Sequence, residues 1–225
     1  MNYKARMGEI IRRLEQKYAK NPDRWISDSF QVLIATILSQ NTSDRNSHRA
    51  FSNLRGSVNI RPEVLASLKP EDIKPAIMCA GLANIKSQRI VEVSKEVLAR
   101  FDGDLSRVIR LPLNEARGAL MDIKGIGPKT ADVFLSFVGG YPVMPVDTNI
   151  FRVVDRLGFA KGRNYERTRG ALESLIPPEK LRDAHLYLIS LGREMCKSRK
   201  PLCPTCPVNT LCDYGIEQIR KTGGK

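Results

Sequence analysis

The chain has 225 residues, 42% of them hydrophobic, which is enough to bury a core as one large domain or two small ones. Lysine and arginine outnumber aspartate and glutamate by 37 to 24, and the net charge of +13 favours a polyanionic partner such as nucleic acid, although ribosomal, membrane-surface and heparin-binding proteins are also basic. The sequence has no apolar run of about 18 residues and no signal-peptide core, which excludes a membrane-spanning helix and predicts a cytoplasmic protein, or a nuclear one in a eukaryote.

Apolar residues recur at helical spacing along most of the chain, and this periodicity predicts amphipathic helices. The clearest stripes run through residues 7–18, 30–38, 90–101 and 181–195. The nearest candidate for a strand is 141–146, but Pro142 and Pro145 remove two donors that a β-ladder needs. The sequence therefore predicts an all-α fold, with an extended link at 139–145 between two helical blocks and a frayed, basic segment at 219–225.

A tight glycine turn joins two predicted helices, at 114–121 and 128–137. The turn reads Ile-Lys-Gly-Ile-Gly-Pro-Lys over 123–129. Gly125 and Gly127 can adopt positive φ and expose bare backbone, and the start of the next helix supplies N–H donors and the positive end of the helix dipole. The segment is predicted to be a helix-hairpin-helix phosphate clamp, and the alternative is a plain interhelical turn.

Lys129 follows Pro128 in the first turn of the second hairpin helix, where the helix dipole disfavours an ammonium. A lysine must lose its proton to act as a nucleophile, so Lys129 is a candidate for forming a Schiff base. Position alone favours the alternative, a lysine that contacts a phosphate.

Asp147 precedes a new apolar periodicity at Ile150, Phe151 and Val154, which predicts that it caps the N-terminus of a helix. A carboxylate at a domain junction could also stabilise an oxocarbenium-like sugar or move a proton. The sequence around Asp147 is compatible with both roles.

Four of the five cysteines are crowded near the C-terminus, unlike a disulfide framework spread over a secreted chain. Their spacing is C-x6-C-x2-C-x5-C. A structural zinc site usually has two close pairs separated by a longer span, so this compact loop favours a cubane iron–sulfur cluster, with zinc as the alternative. The four residues are Cys196, Cys203, Cys206 and Cys212.

The hairpin turn, the Val-Asp-Thr-Asn-Ile-Phe-Arg-Val segment at 146–153 and the cysteine spacing occur in an order that resembles the endonuclease III family of DNA glycosylases. The resemblance spans nearly the whole chain. It implies that Lys129 is the Schiff-base lysine, that Asp147 is the catalytic aspartate, and that the four cysteines bind a [4Fe–4S] cluster.

The resemblance also implies the domain organisation. A six-helix domain over 25–141 contains the hairpin at about 114–137, and a second helical domain combines 1–24 with 142–195. The cluster loop spans 196–212, and 213–225 is the C-terminal tail. DNA is expected to bind across the groove between the two domains.

The resemblance implies a bifunctional base-excision enzyme that removes a damaged base, expected to be an oxidised pyrimidine, and nicks double-stranded DNA. The alternatives are a monofunctional G·U or G·T mismatch glycosylase and a non-catalytic DNA-binding module. The enzyme is expected to be a monomer associated with a prokaryotic nucleoid. The residues predicted to contact DNA are Gln40, Asn41, Ile123, Lys124, Gly125, Gly127, Thr130, Lys197, Arg199 and Lys200.

Several of these predictions have alternatives. The family glutamine that fills the space left by a flipped base falls on Asn41, and Gln40 lies beside it, so either residue could fill that space. Ala83 stands where the family usually has tyrosine, and Asn149 stands where bacterial members often have histidine. The basic residues of the cysteine loop could equally form a solvated surface.

Overall fold

The computed structural model of the chain describes residues 2–19 and 28–222. These residues form helices and turns, and none of them lies in a β-strand, which confirms the all-α prediction. None of the described helices is long and apolar enough to cross a membrane. The α-helices are α1 (Tyr3–Tyr18), α2 (Ser29–Ser39), α3 (Asp44–Ser57), α4 (Pro62–Ser67), α5 (Pro70–Ile77), α6 (Ala83–Phe101), α7 (Leu113–Met121), α8 (Pro128–Phe137), α9 (Thr148–Leu157), α10 (Tyr165–Leu175), α11 (Leu181–Glu194) and α12 (Asp213–Thr222).

Local chemistry sets the start of several helices. A side-chain oxygen of the N-cap residue accepts a hydrogen bond from the backbone N–H three residues later, which satisfies one of the unpaired donors at a helix start. Proline is favourable at the first helical position, because a backbone N–H there would have no partner within the helix. The N-caps are Asn2, Asp28, Ser43, Asp147 and Asn164, and the first-position prolines include Pro62 and Pro128.

The chain divides into two compact units. The first, called the central unit below, is Trp25–Tyr141. Its helix α2 is buried on most faces and packs on α3, α6 and α8, as expected for a helix that is apolar almost all round. Helices α4 and α5 pack on α6, and α7 packs on α8.

The second unit, called the terminal unit below, combines Met1–Arg24 with Pro142–Lys225. Helix α11 packs on α1 and α9, and α1 also packs on α10. Their apolar faces share one hydrophobic core that includes residues from both ends of the chain. Its members include Met7, Ile10, Leu14, Ile150, Val154, Leu172 and Leu188.

The segment predicted to be frayed, 219–225, begins inside a helix, because α12 extends to Thr222, and residues 223–225 lie outside the described part of the chain. Helix α12 packs on α9. Arg6 donates a hydrogen bond to Asp213 at 2.8 Å, and the guanidinium of Arg156 lies 4.6 Å from the centre of the Tyr214 ring. These contacts join residues far apart in sequence, which is why local composition did not predict an ordered helix.

Candidate functional site

The predicted hairpin is formed by α7, a tight turn and α8. The Ile126 N–H donates to the Ile123 carbonyl at 3.0 Å and closes the turn. Gly125 has a φ of +97°, which favours glycine. A Cβ on Gly125 would also lie 3.0 Å from the side chain of Arg89, so this glycine relieves both backbone strain and crowding.

Gly127 differs from the sequence expectation of positive φ. It is the N-cap of α8 and has a φ of −95°, in the extended region that other residues adopt freely. A Cβ there would meet no atom within 4 Å, so glycine is not needed to avoid a clash. The missing side chain instead leaves the start of α8 open to a group from solution, and a helix N-terminus attracts anions.

A buried ion pair fastens the two helices of the hairpin. Nε of Arg117 on α7 donates to Oδ1 of Asp132 on α8 at 2.7 Å, and the Asp132 side chain is fully buried. Lys129 is half-buried in the first turn of α8, three residues before Asp132. The helix that carries the candidate nucleophile is therefore held at a fixed position against α7.

Among the hairpin side chains predicted to contact DNA, that of Lys124 is exposed. Ile123 is fully buried in the core. Thr130 is 3% exposed, and its hydroxyl accepts a hydrogen bond from the Gln40 amide at 3.1 Å. The side chains of Ile123 and Thr130 therefore contact the protein interior, and the predicted contacts of these two residues with DNA stay predictions.

The turn between α2 and α3 places Gln40 and Asn41 in different surroundings. Gln40 accepts a hydrogen bond from Arg89 at 2.7 Å and donates to Thr130, so its side chain is engaged at both ends. Asn41 is exposed and has a φ of +52°. Asparagine tolerates this left-handed conformation better than most residues, but it remains strained relative to glycine.

A second exposed turn follows the 3-10 helix Met78–Ala80 and was not predicted to contact DNA. Gly81 and Leu82 both have left-handed φ values, +68° and +51°. The side chain of Leu82 is 55% exposed, and Ile85 beside it is also exposed. An exposed leucine on strained backbone marks a candidate functional position. The sequence carries no signal for Leu82, because neither its φ nor its exposure can be read without the tertiary structure.

Asp147 caps α9, because its Oδ1 accepts a hydrogen bond from the Ile150 N–H at 2.8 Å, which confirms the N-cap prediction. Its other oxygen, Oδ2, accepts from the side-chain amide of Asn149 at 3.0 Å. Asn149 accepts in turn from Arg152 at 2.8 Å, and Arg152 donates to the Cys196 carbonyl at 2.8 Å. A chain of hydrogen bonds therefore orients the carboxylate and extends to the start of the cysteine loop.

The side chains of the four clustered cysteines line one small cavity, which they share with apolar neighbours such as Met195 and Leu202. Burial raises the pKa of the Cys203 and Cys206 thiols, and raises that of Cys212 to about 11, with the neighbouring sulfur atoms adding to the effect. Within 2–19 and 28–222, no group of three or more His, Cys, Asp or Glu side chains is arranged to hold a metal ion. Four thiols around one cavity are nevertheless a donor set that suits a soft, thiolate-binding group.

Arg156 holds the first part of the cysteine loop. Its guanidinium donates to Cys196 Sγ at 3.3 Å and to the carbonyls of Lys197 at 2.7 Å and Ser198 at 3.2 Å. The side chains of Lys197, Arg199 and Lys200 are exposed. The backbone of this basic segment is therefore bound to the protein, while its cationic groups face solvent.

Residues 34–178 match the HhH-GPD superfamily of base excision DNA repair proteins. The match contains the whole hairpin, Lys129 and Asp147. The fold and these residues thus define a DNA-repair protein of the helix-hairpin-helix class.

Curated relatives narrow this class. Endonuclease III of Escherichia coli K12 is 35% identical over 94% of this chain and 96% of its own length. The Thermotoga maritima and Sulfolobus acidocaldarius endonucleases III are each 33% identical, over 92% and 94% of this chain and 92% and 97% of their own lengths. The chain belongs to the endonuclease III family, and is accordingly a base-excision DNA glycosylase with AP lyase activity.

Solved structures give the same result at the level of the fold. A trapped covalent intermediate of endonuclease III with DNA superposes with a TM-score of 0.85 and 26% identity, over 98% of this chain and 100% of that one. A thermostable thymine-DNA glycosylase shares the fold with a TM-score of 0.81 at 23% identity, over 95% and 98% of the two chains.

Proposed function

We propose that this enzyme removes oxidised pyrimidine bases from double-stranded DNA and nicks the strand, with Lys129 as the nucleophile. The unprotonated amine attacks C1′ of the sugar, a bond from nitrogen to C1′ forms, and the C1′–base bond breaks with protonation of the departing base. Opening of the sugar ring gives a protonated Schiff base, which acidifies the C2′ hydrogen. Loss of that proton and departure of the 3′ phosphate complete the β-elimination.

The observation that carries this proposal is the position of Lys129 in the first turn of α8, two residues after the open glycine Gly127. A phosphate bound at the start of α8 would bring the sugar-phosphate backbone close to the lysine. Asp147 assists by taking up and returning protons, and its hydrogen bonds to Ile150 and Asn149 fix its orientation.

Borohydride trapping on duplex DNA with an abasic site tests the role of Lys129. The wild-type enzyme is expected to form a covalent adduct, and Lys129→Gln is expected to form none. Lys95→Gln is the matched control, because Lys95 is an exposed lysine on α6 outside the hairpin. An adduct that persists in Lys129→Gln would assign the chemistry to another amine.

The substrate class needs a separate experiment. Duplexes carrying thymine glycol, dihydrouracil, 8-oxoguanine, an abasic site, or a G·U or G·T mispair are scored for base release and for nicking separately. Release of thymine glycol and dihydrouracil with coupled nicking supports the proposal. Base release from the mispairs without nicking would instead support a monofunctional mismatch glycosylase, and intact DNA in every case would leave a binding module.

We propose that the Asn41 side chain fills the space left by the extruded base. The Leu82 side chain inserts at the neighbouring base step. Both side chains are exposed on turns with left-handed backbone, whereas Gln40 is engaged by Arg89 and Thr130. Inserted side chains help to keep a nucleotide out of the stack, and apolar side chains wedge apart base steps. Asn41→Ala and Leu82→Ala are each expected to slow base release from paired duplex while leaving trapping on an abasic site intact. Full base release in both variants would reject the assignment.

The donor set around the cysteine cavity fits a [4Fe–4S] cluster, held by Cys196, Cys203, Cys206 and Cys212. Bound there, the cluster would supply a structural anchor for the loop and electron-transfer capacity, while Lys129 and Asp147 carry the cleavage chemistry. Iron and acid-labile sulfide in the purified protein support this assignment if both are lost in Cys203→Ser but kept in Cys79→Ser, which changes the fifth cysteine, outside the cavity. Stoichiometric zinc without iron would contradict it.

The exposed Lys197, Arg199 and Lys200 contact DNA phosphates in this proposal. Each phosphate contact releases counterions, so replacing all three by alanine should reduce the slope of log affinity against log salt by about three. An unchanged slope would show that they form a solvated surface. The proposed partner is damaged double-stranded DNA of a prokaryotic nucleoid, and one chain carries every proposed catalytic residue, so a monomer is sufficient.

A further inference from the structure

The central unit contains a buried lysine that the proposed chemistry does not use. Lys86, in the first turn of α6, is 2% exposed. Its Nζ donates to the carbonyl of Leu38 at 2.8 Å and to the carbonyl of Ala80 at 2.9 Å. Burial lowers the pKa of this ammonium, and the nearby charge of Arg89 lowers it further.

The two carbonyls lie at the ends of two different helical segments. Leu38 is in the last turn of α2, and Ala80 is the last residue of the 3-10 helix Met78–Ala80. Carbonyls at such ends lack partners within their own helix. A cation is favourable there, because the C-terminal end of a helix carries the negative end of the helix dipole. One ammonium therefore satisfies acceptors from two elements that are far apart in the sequence.

Each of these ends leads directly into a strained, exposed turn. Asn41 lies three residues after Leu38, and Leu82 lies two residues after Ala80. Their φ values are +52° and +51°, although neither is glycine. Lys86 is thus bonded to the base of both turns.

A second contact from α6 strengthens this arrangement. Arg89, three residues after Lys86, donates to the Gln40 side chain at 2.7 Å. Residues separated by three lie on the same face of a helix. The first turns of α6 therefore hold the end of α2 through the Leu38 carbonyl, and the turn that follows it through the Gln40 side chain.

Burying an ammonium is costly even with acceptors, and an apolar side chain of similar length would avoid that cost in an ordinary core. We propose that Lys86 is a positioning residue that joins the turn of Asn41 to the turn of Leu82, so that the two side chains enter DNA as one preformed unit. This inference rests on the proposed function of those two residues.

The test compares two substrates under single-turnover conditions. The first is a lesion in fully paired duplex, and the second is the same lesion opposite a one-nucleotide gap, where no partner base opposes extrusion. Lys86→Met is expected to slow base release at least ten-fold on the paired duplex and less than three-fold opposite the gap. Lys95→Met, which removes an exposed lysine from the same helix, is expected to change neither rate.

Several outcomes would overturn the inference. An equal loss on both substrates would show a general structural role, and unchanged rates would show no role. If Lys86→Met does not fold, Lys86→Gln, which keeps an amide donor, is measured in its place, and failure of both variants to fold would make Lys86 a requirement of the core.

A double-mutant cycle separates this inference from the proposed function. If Lys86 acts through Leu82, the loss in Lys86→Met/Leu82→Ala is smaller than the product of the two single losses. Independent, multiplicative losses would reject the coupling. Wild-type enzyme that fails to cleave any lesion rejects the proposed function itself. Normal wild-type activity with normal Lys86→Met activity rejects the positioning role alone.

Discussion

The two compact units hold their proposed catalytic residues by different means. In the central unit, the helix that carries Lys129 is fastened by the buried pair of Arg117 and Asp132 and by packing of α8 on α2. In the terminal unit, Arg152 and Arg156 donate to backbone carbonyls of the cysteine loop. Helices pair most of their own backbone groups, whereas a loop leaves carbonyls that side chains must satisfy.

The cysteine loop has little regular structure of its own. Between Cys196 and Cys212 its helical elements are the short 3-10 segments Cys203–Thr205 and Asn209–Leu211. Such segments bury few apolar groups, so the order of the loop depends on the arginine contacts and on what the cysteines bind. The comparison therefore predicts that the central unit keeps its structure without a cluster and that the loop does not.

The largest expected effect separates two functions of Asp147. Asparagine is as good an N-cap as aspartate, so Asp147→Asn should leave the stability of the terminal unit nearly unchanged. Loss of the carboxylate should lower the rate of base release about 10²- to 10⁴-fold. Single-turnover kinetics and thermal unfolding measure the two effects. Asp28→Asn, at the N-cap of α2, is the matched control, and an equal kinetic loss there would contradict a catalytic role for Asp147.

The next effect tests the anchor of the hairpin. Arg117→Met deprives the fully buried Asp132 of its guanidinium partner and should lower the free energy of unfolding by about 3–5 kcal/mol. Urea unfolding measures the change. Arg107→Met, which breaks an exposed pair with Asp102, should cost at most about 1 kcal/mol. A similar loss of unfolding free energy in both variants would show that burial does not make the Arg117–Asp132 pair more stabilising than an exposed pair.

Removal of the cluster ligands tests the predicted difference between the units. In Cys203→Ala, limited proteolysis is expected to cut within 196–212 before it cuts the central unit, because the loop has lost its anchor. Cys79→Ala, which changes the cysteine outside the cavity, should keep the wild-type pattern. Early cleavage in the central unit of Cys203→Ala would show that the two units depend on the same anchor.

The smallest effect concerns an acidic residue of α1. A hydrogen bond from Arg12, and to a smaller extent one from Arg13, lowers the pKa of Glu9 from 4.5 to about 2. Arg13 also donates to Thr210 at 3.0 Å, which links this pair to the cysteine loop. Because the folded-state pKa is depressed, the stabilisation is complete above pH 4.5 and is lost as the pH falls towards about 2.

Thermal unfolding of wild-type and Glu9→Gln protein across this range measures the contribution. A small difference in Tm at pH 7 should shrink as the pH falls. A difference that stays constant with pH would show that the carboxylate charge is not its source.

The helices and the hairpin were predictable because their signals are local. Periodic apolar residues predicted α1, α2, α6 and α11, and the spacing of Gly125, Gly127 and Pro128 predicted the turn into α8. The N-cap at Asp147 was predictable for the same reason. The C-terminal helix was not, since its order comes from contacts with Arg6 and Arg156, which are distant in sequence.

The sequence alone also determined the basic charge, the all-α class and the order of the motifs. It contained the cysteine spacing on which the metal prediction rests. Only the tertiary structure showed that Gln40 is hydrogen-bonded to Arg89, unlike Asn41. It also showed that Leu82 is exposed on a turn with left-handed backbone and that Lys86 is buried. The physical reason is that helical periodicity and capping act within a few residues, whereas burial and hydrogen bonding at these turns join segments that the chain separates widely.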